Sequence, residues 1–195
     1  MGGTPISGRA AIMFAVGGVV LEGLAGGLYE AAASSSGLSV DPLKLLASGS
    51  SGAALIHWGS LIDMFGYLAL TPVVVYLRAR YSGARYIDVF AAAGLMVVVI
   101  GSIGAVSMAA AAPPLMKDYA TADPTLGREF LPAFATLYRA VVVGMWQTLE
   151  TIPATIWLLG TASAARRQGP RVVFAILLLA GALYGIIAVY RLLSY

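Results

Sequence analysis

Long apolar runs alternate with short polar segments along the chain, and the polar segments hold most of the charged residues. Five runs stand out, at 10–32, 54–77, 87–112, 134–164 and 172–193. Each is at least as long as the roughly 20 residues that an α-helix needs to cross a bilayer. The runs are continuous and rich in Gly and Ala, without the alternating apolar and polar positions of a transmembrane barrel strand. The pattern predicts an all-α, polytopic membrane bundle of five transmembrane helices.

Composition points to the same class of protein. Hydrophobic residues make up 59% of the 195 residues and charged residues 11%, whereas soluble domains carry about 25% charged residues. The apolar runs take up most of the length, so we expect a single transmembrane domain over 1–195. The first run follows Arg9 much as a signal peptide would, but its length and the central Glu22 favour a retained helix. The chain has no cysteine, which excludes disulfides and thiolate metal sites.

The basic residues predict an orientation for these helices. Seven of them flank the first run or lie in two of the loops, and they are Arg9, Arg78, Arg80, Arg85, Arg166, Arg167 and Arg171. The loops at the opposite ends mix both signs of charge, with Lys44, Lys117, Arg128, Glu30, Asp41, Asp118, Asp123 and Glu129. By the positive-inside rule, the N-terminus lies inside and the C-terminus outside a cell membrane. This distribution also accounts for the net charge of +3, so we expect membrane lipids and not nucleic acid as partners.

Proline positions predict where the helices begin and break. In the Ser/Gly-rich loop after the first run, Asp41 and Pro42 precede the sequence LKLLAS. An N-cap followed by Pro at the first helical position predicts a short helix here, lying along the membrane surface. Pro132 is expected to interrupt the helical lead-in to the fourth run, and Pro153 to kink that helix beside Glu150.

Three acidic residues lie well inside apolar runs, where a carboxylate is costly unless the protein uses it or pairs it. They are Glu22, Asp63 and Glu150. Counting about 1.5 Å per residue from the Arg clusters places all three about 9–12 Å below the outer membrane boundary. The sequence therefore predicts that three different helices carry a carboxyl group at one depth.

Polar stripes accompany these acids on two of the helices. The second helix carries Ser60, Asp63, Tyr67 and Thr71 at helical spacing. The fourth helix carries Arg139, Trp146, Glu150 and Trp157. Such stripes face the interior of a bundle, so we expect the three acids to share one cavity in its outer half.

Carboxylates gathered in a medium of low dielectric constant cannot all stay ionised, so they either hold protons or are neutralised by a cation. The candidate proton- or ligand-binding residues are Glu22, Asp63, Glu150, Tyr67, Trp146, Arg139 and His57. Tyr67 and Trp146 could contact a cation through their ring faces. The alternative is that each acid is satisfied by nearby hydroxyls, by Arg139 or by a basic residue of a partner subunit.

His57 is the single histidine, and two interpretations of it stay open. Beside Trp58 it fits an aromatic ring at the outer membrane interface. It could also serve as a metal or haem ligand, or as a pH-sensitive group above the acids. The sequence identifies no metal site and no cofactor.

Two G-x-x-x-G patterns bear on assembly. They are formed by Gly23 and Gly27 in the first run, and by Gly181 and Gly185 in the last. Spacing of this kind allows two helices to approach closely. It therefore fits either close packing inside the bundle or the seam of a homo-oligomer.

Three classes of function are compatible with this sequence. The first is a transporter or channel component that binds protons or a cation at the acids. The second is a non-catalytic subunit of a larger membrane complex, for example a respiratory or transport complex. The third is an intramembrane enzyme that uses a carboxylic acid for proton chemistry on a lipid or isoprenoid. Short loops and the absence of nucleotide-binding, zinc-protease and serine-hydrolase motifs disfavour the enzyme.

The predicted topology can be tested by single-cysteine labelling, since the chain has no cysteine of its own. We expect Cys placed at Ser82 or Gln168 to react with a membrane-impermeant maleimide only after the membrane is opened, because both loops follow Arg clusters. Labelling of either position in intact cells would contradict the orientation with the N-terminus inside.

Overall fold

The computed structural model describes residues 6–33 and 41–194, and within these ranges the regular elements are all helical. The elements are α1 (Gly8–Ala33), α2 (Pro42–Ala47), α3 (Gly49–Arg80), α4 (Ile87–Thr121), α5 (Pro124–Tyr138), a π-helical segment (Arg139–Leu149), α6 (Thr151–Gln168) and α7 (Arg171–Leu193). The predicted all-helical fold is confirmed. The loop residues 34–40, which belong to the predicted outer loop, lie outside the described residues.

Four of the helices are long and apolar enough to cross a membrane, namely α1, α3, α4 and α7. The chain is therefore a membrane-embedded helical bundle. The fourth predicted run is divided among α5, the π-helical segment and α6, so within the described residues length and hydropathy identify four candidate spans, and the predicted count of five is not confirmed. The third run also extends further than predicted, because α4 continues through Pro113 and Pro114 to Thr121.

The helices pack in the order α1, α3, α4, α6 and α7, each against the next. α3 has the most extensive contacts, with α1 on one side and α4 on the other. α2 and α5 pack together and against one end of α4. The two long helices α3 and α4 therefore form the centre of the bundle, and α1 and α7 lie at its edges.

One end of the bundle collects the Arg-rich segments, and we call it the Arg end. A Cβ on Gly8 would lie 3.0 Å from the Tyr76 hydroxyl, and one on Gly169 would lie 2.5 Å from the Tyr81 hydroxyl. These contacts join the start of α1, the end of α3 and the α6–α7 turn. The side of the membrane that the Arg end faces stays a prediction.

Two apolar cores lie at opposite ends of the bundle. The far-end core consists of Ala32, Ala33, Leu45, Leu46, Ala53, Ile56, Met108, Ala112, Met116, Phe134 and Val141. The Arg-end core consists of Val74, Leu77, Tyr81, Ile87, Ala91, Ala93, Trp157, Ala162, Ala164, Ala165 and Leu177. The residues between them, near the middle of α3, α4 and the π-helical segment, form a separate layer.

Two connecting segments, α2 and α5, pack into the far-end core, which differs from what the sequence predicts for them. Asp41 caps α2 as predicted, and its Oδ1 accepts a hydrogen bond of 2.9 Å from the backbone N–H of Leu43. However, Leu45 is 0% exposed, so α2 is anchored in the core and does not simply lie along the membrane surface. α5 continues through Pro132, and the fully buried Phe134 that follows holds it against the same core.

The fourth run changes its winding at Glu150, three residues before Pro153, where a kink was predicted. The N–H of Glu150 donates to the Met145 carbonyl five residues back, whereas the N–H of Ala154 donates to the Glu150 carbonyl four residues back. Pro153 between them has no N–H to donate. The Thr151 hydroxyl donates to the Thr148 carbonyl at 2.8 Å.

Two glycines of α4 make room for aromatic rings from neighbouring helices. A Cβ on Gly101 would lie 2.1 Å from Cε1 of Tyr67, and one on Gly104 would lie 2.4 Å from Nε1 of Trp146. The same Trp146 nitrogen donates a hydrogen bond of 3.3 Å to the Gly101 carbonyl. The absence of side chains at these two positions therefore decides where both rings lie.

We expect Gly101→Ala to lower the free energy of unfolding by about 1–3 kcal/mol, since the Tyr67 ring would have to leave its position between α3 and α4. The measurement is thermal or denaturant unfolding of the purified protein in detergent. Gly23→Ala is the matched control, because a Cβ on Gly23 has no neighbour within 4 Å. Equal stability of the two variants would contradict the close fit of Tyr67 on Gly101.

Candidate functional site

The layer between the two cores contains the acids. We call Glu22, Asp63, Tyr67 and Glu150 the acid layer; they come from α1, α3 and the junction between the π-helical segment and α6. The sequence predicts one depth for the three carboxyl groups. In the structure, Asp63 lies along its helix between Ile56 of the far-end core and Val74 of the Arg-end core, and Glu150 lies between Val141 and Trp157.

Glu150 is the most deeply buried acid, with 3% of its surface exposed. Its Oε2 accepts a hydrogen bond of 2.8 Å from the hydroxyl of Tyr67. Among the described residues the salt bridge is the exposed pair of Arg78 and Asp88, and no basic side chain pairs with Glu150. A carboxylate buried without a countercharge is costly, whereas a neutral carboxyl group with a hydrogen-bond partner is tolerated.

Close approach of α1 and α3 brings the second acid onto the surface of α3. A Cβ on Gly66 would lie 3.1 Å from Cγ of Glu22, and one on Gly18 would lie 3.2 Å from the Gly66 carbonyl oxygen. Glu22 therefore crosses α3 directly over Gly66, one helical turn from Asp63. The two carboxyl groups are close enough to repel each other electrostatically when ionised, and both side chains are half-buried.

A tyrosine of α7, which the sequence analysis missed, lies near the layer. Tyr184 is half-buried, and the adjacent Gly185 packs against Thr155 of α6, five residues from Glu150. The last apolar run carries no acid, and no candidate residue was predicted on it. Its buried positions Leu177, Gly181 and Ala188 repeat at helical spacing, and Tyr184 lies on the same face. Its position on this buried face was the feature of the sequence that could have identified Tyr184.

The side of the layer nearer the far end is closed by hydrogen-bonded polar and aromatic groups. The Tyr29 hydroxyl and the fully buried Ser60 hydroxyl are 2.6 Å apart and share a hydrogen bond. The Tyr29 ring meets the Trp146 ring edge to face, with 6.2 Å between centroids. Trp146 thus belongs to the layer through Tyr29 and Gly101, and its indole N–H is engaged with a backbone carbonyl.

The structure does not bring His57 to the acids. Its Nδ1–H donates to the Ala109 carbonyl at 3.1 Å, and its ring packs edge to face on Trp58 with 5.5 Å between centroids. These contacts join α3 to α4 nearer the far end. They fit the interpretation of His57 as an interface aromatic ring.

Arg139 also departs from the predicted stripe, because it is exposed while Glu150 is buried. The two residues are eleven positions apart, which is about three α-helical turns at 3.6 residues per turn and would put them on one face. The i→i−5 pattern of the π-helical segment fits more residues into each turn. The wider winding therefore removes Arg139 from the face that carries Glu150.

The acids form a row and not a cage. Across residues 6–33 and 41–194, no three His, Asp or Glu side chains are grouped so that they could hold a metal ion. Glu22 and Asp63 lie on the α1–α3 side, and Tyr67 connects that side to Glu150. An arrangement of carboxyl groups joined through a hydroxyl suits the holding and passing of protons.

Comparison with protein-family models, with curated proteins and with solved structures gives no match for this chain. The helical bundle by itself implies no activity, because one fold supports many functions. The function is therefore argued from the chemistry of the acid layer.

We expect Tyr67→Phe to lower the free energy of unfolding by about 1–3 kcal/mol, because it keeps the ring on Gly101 and removes the hydrogen bond to buried Glu150. Unfolding in detergent measures the change. Tyr190→Phe is the control, since Tyr190 is 66% exposed and should change stability by less than about 0.5 kcal/mol. If both variants unfold like the wild type, the Tyr67–Glu150 hydrogen bond does not stabilise the layer.

Proposed function

We propose that this membrane protein binds protons in the acid layer as a component of a transporter or channel, and that Glu150 holds the proton. The observation that carries the proposal is a carboxyl group with 3% exposure, one neutral hydroxyl donor and no basic partner among the described residues. Intramembrane acids of this kind commonly mark proton or ion pathways.

A proton fits the site better than a metal cation does. A cation bound in a bundle needs several oxygen ligands around it, whereas the described acids form a row. A proton needs only one carboxyl group and a hydrogen-bond partner, and the Tyr67 hydroxyl at 2.8 Å from Glu150 is such a partner. The observed contacts of Glu150 are thus those of a carboxylic acid that accepts one hydrogen bond.

Polar groups lie on the side of the acid layer nearer the far end. The Tyr29 hydroxyl shares a hydrogen bond of 2.6 Å with the Ser60 hydroxyl, and Ser60 lies one helical turn from Asp63 on α3. Hydroxyl and carboxyl groups can act together in a proton relay, so we expect protons to enter from the far end.

The other side of the layer, in the part of the chain that the structure describes, is filled mainly by the Arg-end core. Val74 and Trp157 of this core both lie against Gly94. The Arg side chains beyond it also repel a proton electrostatically. We therefore expect protons to reach the site from the far end, which the positive-inside rule predicts to be the outer side.

One observation favours the second candidate, a subunit of a larger membrane complex. Glu22 and Asp63 are only half-buried, so a basic residue of a partner could reach them beside α1. Glu150 is enclosed by this chain's own helices, and a partner could not pair with it without opening the bundle. Proton binding would depend on Glu150, whereas assembly with a partner would depend on Glu22 and Asp63. This difference distinguishes the two candidates.

Glu150→Gln tests the proposal because it keeps the shape and the Tyr67 hydrogen bond but cannot release a proton. In proteoliposomes containing a pH-sensitive dye, we expect this variant to lose the proton uptake of the wild type, with little loss of stability. Glu129→Gln, which removes an exposed carboxyl group of α5, should leave uptake unchanged.

Wild-type proton uptake by Glu150→Gln would contradict the proposal. If the wild type itself shows no uptake while Glu22→Gln or Asp63→Asn disrupts a complex isolated from native membranes, the subunit function is supported instead. Glu30→Gln is the control for that experiment, because Glu30 is an exposed acid on the same helix as Glu22.

A further inference from the structure

A cavity of about 430 Å³ lies at the Arg end, between the end of α6 and the start of α7. Its lining consists of Ala165, Arg166, Gly169, Arg171, Phe174 and Ala175. It is far along α6 from the acid layer, and the proposed proton binding does not use it. The lining combines two guanidinium groups with an apolar wall, which is unusual for a simple gap between helices.

The electrostatics of this cavity favour an anion. Arg166 and Arg171 are both exposed, and no acidic residue contributes to the lining. The salt bridge at this end, within the described residues, joins Asp88 to Arg78 and so leaves the two cavity arginines without that partner. No side chain caps the first turn of α7, so its backbone N–H groups add further positive potential.

The position of the cavity favours a lipid over a soluble anion. Phe174 and Ala175 form its wall toward the middle of the membrane. Leu178 and Leu179 follow along α7 and are 43% and 65% exposed, which leaves an apolar path for an acyl chain. A headgroup bound between the arginines would therefore have its tails beside an apolar helix surface.

We propose that this cavity binds the phosphate headgroup of an anionic phospholipid, with Arg166 and Arg171 as the phosphate-binding residues. Arg side chains present paired N–H donors that match phosphate oxygens. Basic pockets between helices at the cytoplasmic side of a membrane protein are a recognised form of lipid site. The inference is independent of the proton-binding function, since it concerns the opposite end of the bundle.

The test uses the full chain in detergent, titrated with phosphatidylglycerol, phosphatidylcholine or inorganic phosphate. We expect phosphatidylglycerol to raise the unfolding temperature and to stay bound in native mass spectrometry, while phosphatidylcholine and inorganic phosphate do neither. Arg166→Gln with Arg171→Gln should raise the phosphatidylglycerol concentration required by about tenfold or more.

Arg9→Gln with Arg85→Gln is the matched control, because it removes the same charge from the same end but leaves the cavity lining intact. An equal loss of lipid binding in the control would show that general charge and not the cavity attracts the lipid, and would overturn the proposal. Equal binding of phosphatidylcholine would overturn it as well. Binding of inorganic phosphate alone would identify a soluble anion in place of a lipid.

Discussion

The arrangement of the bundle depends on keeping the buried carboxyl group of Glu150 hydrogen-bonded where no basic side chain among the described residues pairs with it. Tyr67 provides the hydrogen bond to Glu150, and it can do so because its ring crosses the bundle on the bare backbone of Gly101. Trp146 packs on Gly104 beside it and donates to the Gly101 carbonyl. The hydrogen bond to buried Glu150 therefore depends on the close packing of the aromatic rings on the α4 glycines.

The helical bundle could be predicted from the sequence because apolar runs and Arg clusters are recognisable without knowledge of tertiary contacts. The depth of each residue in the membrane can be counted from the Arg clusters, because a helix advances by a nearly constant rise per residue. That is why Glu22, Asp63 and Glu150 could be placed at one depth from three separate helices. The neighbourhood of Tyr67 and Asp63 followed from their spacing on α3.

Other features depend on contacts that no local pattern reveals. The π-helical segment Arg139–Leu149 contains no proline and no other sequence feature that predicts its wider winding, so helical spacing wrongly assigned Arg139 to the face of Glu150. α2 was expected on the surface because it is short, yet Leu45 and Leu46 fill a space made by distant helices. Tyr184 carries no charge, so the pattern of charged residues did not reveal it.

The winding of the fourth run also changes where a charged side chain lies. Wound as an α-helix, the eleven residues of this segment would span about 16 Å, and Arg139 would lie on the face that carries Glu150. In the π-helical winding Arg139 is exposed. A change in backbone winding, with no change in residue type, is thus enough to move a charged side chain from the inside of this bundle to its surface.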